Sequence, residues 1–175
     1  LLPLYCICFS ILYSSCGPPI NGGKQVSNTP VVTAFDGVEI DAPLKAVIDV
    51  TPGAQPGVVI TGPENLTRYI KTKVENNTLQ IYMDDDIHFG WDDDLKAHVT
   101  VPTLKALSIS GAGSTDVNGN ITGADFKLDI SGVGKVNIAA VNISTLSADV
   151  SGAGKVLIKA GKVQSATYED SGTGF

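Results

Sequence analysis

The sequence predicts an all-β protein: an N-terminal strand layer with one short helix, running into a parallel β-solenoid with coils of about 20 residues. Two observations carry this reading. A Ser-Gly-x-Gly motif recurs four times in the second half of the chain, at near-equal spacing. The first half is a succession of short apolar segments, many of them alternating, bounded by Gly, Pro, Asn and Asp, which is the layout of strands joined by turns. The 19 glycines follow no collagen period and fall mostly at the turn-like places between apolar runs.

In the first half, residues 31–35, 37–41, 44–50 and 57–62 read as strands. Residues 63–70 are the one helical candidate. Leu66, Tyr69 and Ile70 stand at i, i+3 and i+4, and Pro63 suits a helix start. Barely two turns long, that helix would depend on tertiary packing. Residues 72–75 and 79–83 flank Asn76-Asn77, a pair that tolerates positive φ and fits a tight hairpin turn. In residues 95–101 the odd positions are apolar and the even positions polar, the mark of a half-buried strand.

The repeat motifs are Ser110-Gly111-Ala112-Gly113, Ser131-Gly132-Val133-Gly134, Ser151-Gly152-Ala153-Gly154 and Ser171-Gly172-Thr173-Gly174. Other columns keep step with them. One residue before each serine stand Ile109, Ile130, Val150 and Asp170, and three before stand Leu107, Leu128, Ala148 and Tyr168. Five after the first three serines come Thr115, Val136 and Val156, and seven after come Val117, Ile138 and Ile158. A period of about 20 residues with alternating apolar columns is the signature of stacked coils, each burying its neighbour's apolar row. The glycines suit the corners between strands. A phosphate-binding glycine loop would need a following helix, and here Val136 and Ile138 follow instead.

Residues 1–13 are almost wholly apolar, too short to span a bilayer as a helix, and read as the core of a signal peptide with a clipped start. Tyr13-Ser14-Ser15-Cys16-Gly17 resembles the lipobox of bacterial lipoproteins, with Tyr13 where Leu is usual. The resemblance implies cleavage before Cys16 and a lipid on its thiol. The expected organisation is a signal peptide over residues 1–15, a Gly/Pro/Asn/Ser-rich tether over 16–30, and one β domain over 31–175, divided into a strand layer at 31–103 and the repeats at 104–175. Beyond Cys16 the chain has no cysteine, so no disulfide framework exists there.

Charged residues make up 17% of the chain and hydrophobic residues 43%, which argues for a packed core and against disorder. The net charge of −6 argues against nucleic acid as a partner. One segment concentrates chemistry: Asp84, Asp85, Asp86, Phe89, Trp91, Asp92, Asp93 and Asp94 lie in a single connection between two strands. Six carboxylates could hold Ca²⁺, but the spacing is not that of an EF-hand, and no metal or cofactor is expected. Exposed aromatics among acids suit a binding loop for a protein or glycan. His88 and His98 are the only histidines and lack a third zinc ligand, and His98 falls on the polar face of its strand. Asp129 and Asp149 share a column with Ser108, and Lys135 and Lys155 share one with Ser114. These read as outward charges. The competing reading is a glycan-active enzyme that uses such acids, Asp116 included, on the solenoid face.

Together, four stretches resemble the head GIN domain of auto-transporter adhesins, found largely in Bacteroidetes envelope proteins. They are residues 35–40, 74–82, 99–107 and the Ser-Gly-x-Gly series, in that order. The resemblance covers about residues 33–175. It implies a secreted or lipid-anchored β-protein of right-handed solenoid character and attaches no catalytic residues. The expected function is a non-enzymatic outer-membrane lipoprotein, an adhesin or scaffold, with the membrane as one partner through its lipid and an unknown protein or glycan as another. The fourth repeat has Asp170 where the others are apolar, and the chain stops shortly after it, so an exposed last coil and truncation at the C-terminus are expected. Mass spectrometry of the mature protein should find an acylated N-terminal Cys16 and nothing before it. A soluble mature form with a free Cys16 thiol, or with a different first residue, would contradict the anchor.

Overall fold

The computed structural model describes residues 23–83 and 94–172. The protein is all-β, with a single short helix among the described residues and one continuous sheet of twelve strands, curled and open like half a barrel. The strands are β1 (Gln25–Asn28), β2 (Gly37–Asp41), β3 (Lys45–Val50), β4 (Gly57–Pro63), β5 (Ile70–Glu75), β6 (Thr78–Met83), β7 (Lys96–Val101), β8 (Ala106–Ile109), β9 (Ala112–Ile130), β10 (Val133–Val150), β11 (Ala153–Ile158) and β12 (Gly161–Asp170). The helix, α1, spans Glu64–Thr67.

The long strands β9 and β10 each contribute to two ladders. In the first ladder the order is β1, β4, β7, β3, the N-terminal half of β9, the N-terminal half of β10, and β11. In the second it is β5, β6, β2, β8, the C-terminal half of β9, the C-terminal half of β10, and β12. Within the repeats every pairing is parallel, and the columns read from the sequence coincide with the register: Ile109 opposite Ile130, Ile130 opposite Val150, and Val150 opposite Asp170. The inward members, Leu107, Leu128, Val117, Ile138, Ile130 and Val150, are buried in one core cluster. The first repeat interval is longer than the later ones by a single position. The surplus is absorbed where Val117 pairs with Ile138 but Asn120 pairs with Ala140, which leaves β9 one residue ahead of β10.

β2 and β3 form a further unit of this stack that lacks the Ser-Gly signature. Glu39 stands opposite Ser108 and Lys45 opposite Ser114, at one constant offset in sequence, and Asp41-Ala42 takes the corner. Val38, Ile40, Ala46 and Ile48 continue the buried columns. β6 and β7 pair in parallel with β2 and β3 in the same way, Ile40 opposite Ile81 and Ala46 opposite Ala97. The antiparallel strands β5, β4 and β1 then close this end of the stack.

Local chemistry explains most element boundaries. Asn76 and Asn77 both take positive φ, 50° and 60°, which gives the tight turn of the β5–β6 hairpin. Along β7 and its approach, Leu95, Ala97, Val99 and Val101 are buried while Lys96 and His98 are exposed. The helix expected over residues 63–70 is only Glu64–Thr67, because β4 runs through Pro63 and β5 begins at Ile70, so both ends are claimed by ladders. Residues 31–35 form no strand, although their composition suggests one. Val31 is fully exposed and only Phe35 is buried, so that run finds no ladder to join. Conversely, β1 arises inside the stretch expected to be a tether, where Gln25–Asn28 pair antiparallel with β4.

The corner glycines serve close approach more than unusual dihedrals. A Cβ on Gly132 would lie 2.0 Å from the Gly111 carbonyl oxygen, and one on Gly152 would lie 2.0 Å from that of Gly132. Each corner backbone rests on the corner before it. At the far end, β11 and β12 pair with β10 alone, and β12 is almost wholly exposed. There the apolar column gives way to Asp170, whose carboxylate accepts from the Tyr168 hydroxyl and the Gly172 N–H.

Gly132→Ala should therefore destabilise the fold by about 1–3 kcal/mol, since a methyl group must displace stacked backbone. Gly57→Ala, where nothing lies within 4 Å, should be neutral or gain up to about 1 kcal/mol. Urea denaturation of both variants checks this, and equal effects would contradict the corner argument.

Candidate functional site

Of the residues singled out from the sequence, Cys16, His88, Asp84, Asp85, Asp86, Phe89, Trp91, Asp92 and Asp93 lie outside the described residues. Asp94 is exposed, in a turn directly before β7. The flanking residues place the acidic segment in the topology. It joins β6 to β7, the same step from second ladder to first that Asp41-Ala42 and the Ser-Gly corners make with much shorter connections elsewhere.

His98 faces solvent, as its even position implies, and it has a partner. Its Nε2 lies 2.6 Å from Asp49 Oδ2, and Asn118 Nδ2 donates to Asp49 Oδ1 at 2.8 Å. Three neighbouring strands, β7, β3 and β9, thus supply one polar chain on the outer face of the first ladder. The Asn118 amide and then the His98 ring hold the Asp49 carboxyl below the ordinary aspartate value, against a smaller opposing effect of partial burial. Nothing in the sequence spacing joins these residues, which come together only through the register. Beside them, Asn137 Nδ2 donates to Asp116 Oδ1 at 2.6 Å, so Asp116 belongs to the first ladder and not to the column of Asp129 and Asp149.

That acidic column is longer than the repeats alone indicate. On the outer face of the second ladder Glu39, Ser108, Asp129, Asp149 and Glu169 follow one another in register. On the outer face of the first ladder Lys96, Lys45, Ser114, Lys135 and Lys155 do the same. Glu39, Lys45 and Lys96 come from outside the repeats.

The surface has shallow hollows. One of about 250 Å³ is lined by Glu39, Asp41, Lys73, Gln80, Ile81 and Tyr82, with Gln80 Nε2 donating to Glu39 Oε2 at 2.8 Å and the Lys73 ammonium 5.7 Å from the Tyr82 ring centre. A second, of about 530 Å³, has Asp125 as its only carboxylate, alongside Lys105 and Lys127. Lys105 bonds Asp36 Oδ2 at 2.7 Å, which raises its pKa. Among the described residues no three His, Cys, Asp or Glu side chains gather closely enough to hold a metal ion. No helix there is long and apolar enough to cross a membrane.

The family model described as "Putative auto-transporter adhesin, head GIN domain" matches residues 34–175. Among solved structures, a putative adhesin from Bacteroides fragilis is similar with a TM-score of 0.59 at 17% identity, over 87% of this chain and 96% of that one. A putative adhesin from Parabacteroides distasonis has a TM-score of 0.47 at 15% identity, over 87% of this chain and 80% of that one. A protein of the same organism named a putative lipid binding protein has a TM-score of 0.39 at 15% identity, over 87% and 96%. No curated protein matches the sequence.

The depressed pKa of Asp49 carries a pH dependence. A lowered folded-state pKa stabilises the fold above the unfolded value, about 3.9, and that contribution is lost as pH falls through the folded value. Asp49→Asn should cost about 0.5–1 kcal/mol at pH 7, a figure already reduced for solvent screening of this partly exposed group. The gap between wild type and variant should narrow as pH falls below the unfolded aspartate value and close once the folded carboxylate is protonated. Denaturant melts across that range measure it, and a gap independent of pH would contradict the assignment.

Proposed function

We propose that this chain, which belongs to the family of putative auto-transporter adhesin head GIN domains, is a non-enzymatic binding module of the bacterial cell envelope. In this reading it is an outer-membrane lipoprotein held by a lipid on Cys16, and its body is a right-handed parallel β-solenoid that presents flat outer faces to a protein or glycan. The connection carrying Asp84, Asp85, Asp86, Phe89, Trp91, Asp92, Asp93 and Asp94 is one recognition element. It joins two ladders, and its aromatics among acids would meet a partner.

The observation that carries the non-enzymatic reading is the arrangement of carboxylates. Asp129, Asp149 and Glu169 stack from strand to strand along one outer row instead of facing each other across a cleft. Glycoside hydrolysis needs two carboxyl groups on either side of a bound bond. Two hollows hold a pair of carboxylates each, Glu39 with Asp41 and Glu39 with Asp129, and each is about 250 Å³, below the roughly 300–1,000 Å³ of small-molecule sites. The larger one, lined by Asp125, holds one. Ladder faces of stacked polar rows suit extended contact better than turnover.

Overnight incubation with a panel of acidic and neutral polysaccharides separates the classes. A binding module retains polymer of unchanged length. A rise in reducing ends that disappears in Glu39→Gln or Asp41→Asn would establish the glycan-active alternative instead.

A further inference from the structure

We propose that the outer face of the first ladder is a binding groove for a linear acidic polysaccharide, one bearing a carboxylate on successive sugars, with Lys45, Lys135 and Lys155 as its cationic rail. The inference rests on the reading of the chain as a binding module and names the ligand class and the face.

The rail is made by register. Lys45 stands opposite Lys96 on one side and Ser114 on the other, Ser114 is opposite Lys135, and Lys135 is opposite Lys155. The row points outward, because Ala46, Ala97, Thr115 and Val136, the next residues along, are buried. Like charges directly opposite on neighbouring strands repel and destabilise a sheet. Here that arrangement occurs twice, at Lys45–Lys96 and at Lys135–Lys155. None of the four lysines forms an ion pair with a described residue, whereas Lys73 and Lys105 do. The chain carries 18 acidic against 12 basic residues, so the scarcer charge is placed in a line without a counterion among the described residues. An external anion is the missing partner.

A second row narrows the ligand. Ala112, Val133 and Ala153 lie in register two residues before Ser114, Lys135 and Lys155, so an apolar rail runs beside the cationic one. Val133 is 61% exposed. Between the rails lies a shallow hollow of about 390 Å³, lined by Ala112, Gly113, Ser114, Val133, Gly134 and Lys135. A uronate polymer has matching edges: a carboxylate to meet ammonium groups and an apolar C–H face to lie on alanine and valine. Its sugars also repeat at a pitch close to the strand spacing of about 4.8 Å. The net charge of −6 disfavours densely charged nucleic acid, but beyond about 8 Å it is screened at physiological salt, so the nearby lysines decide the local attraction.

The test measures binding of the full chain to polygalacturonate and to alginate, with dextran as the neutral control. Wild type should bind the uronates and not dextran, with affinity falling as salt rises. The triple variant Lys45→Gln/Lys135→Gln/Lys155→Gln should lose at least tenfold in affinity. Lys71→Gln/Lys127→Gln/Lys162→Gln, with the same change in charge off the row, should lose less than twofold. The on-row variant should melt at or above the wild-type temperature, because removing repulsion does not harm the fold. Equal losses in both variants would overturn the proposal. So would binding to phosphatidylglycerol vesicles but not to uronates, or salt-sensitive self-association that consumes the lysine row. Failure to bind uronates overturns this inference and leaves the binding-module reading standing, whereas binding with cleavage keeps the groove and overturns the non-enzymatic reading.

Discussion

In-register parallel stacking is the constraint on which the rest of this structure depends. Once Ile109, Ile130 and Val150 lie in one column, every residue between them is fixed relative to its counterpart in the next repeat. Inward columns then bury like on like, as Leu107 on Leu128 and Val117 beside Ile138 do. Outward columns must place like on like as well. The fold therefore turns a repeat in sequence into linear rows of one chemistry on its surface, whatever that chemistry is. The same constraint demands glycine at the corners, where successive backbones come too close for a Cβ.

That constraint links stability to function. A row of lysines or of carboxylates is unfavourable for the isolated sheet, and a fold selected only for stability would alternate the signs. Ser108 and Ser114 do interrupt both rows in one unit, and β2, β6 and β7 extend them with Glu39, Gln80 and Lys96. The polar chain His98–Asp49–Asn118 shows the other solution, in which adjacent strands contribute groups that satisfy each other. The surface thus carries both kinds of row, one whose members satisfy each other and one whose like charges stand side by side.

Much of this is legible in the sequence, for a physical reason. The columns at fixed odd distances from the serines translate directly into register because parallel stacking preserves spacing. The hairpin at Asn76-Asn77 is legible because its turn needs positive φ twice. What escapes is long-range pairing. The β2–β3 unit carries Asp41-Ala42 in place of Ser-Gly, and the segment from β4 to β7 is inserted between it and the repeats, so no period reveals it. With it are hidden the places of Lys45 and Glu39 in the charged rows. β1 is hidden in a Gly/Pro-rich stretch because its strand character comes from β4. Residues 31–35 show the converse: an apolar run without an available edge makes no strand. At the corner glycines the sequence suggests unusual backbone angles, whereas the approach of the neighbouring corner is the stronger demand.

The central claim is that β2 and β3 stack beneath the repeats as another unit of the same ladder, although their partners lie far along the chain. Main-chain nuclear Overhauser contacts between strands, measured in solution on the 18.2 kDa chain, test it most directly. The account predicts parallel-strand contacts joining Val38–Ile40 to Leu107–Ile109 and Ala46–Ile48 to Thr115–Val117. They would stand alongside contacts between equivalent positions of successive repeats, such as Ile130 with Val150. Repeats that show their own contacts while β2 and β3 pair elsewhere, or in a shifted register, would contradict it and remove Glu39 and Lys45 from the charged rows.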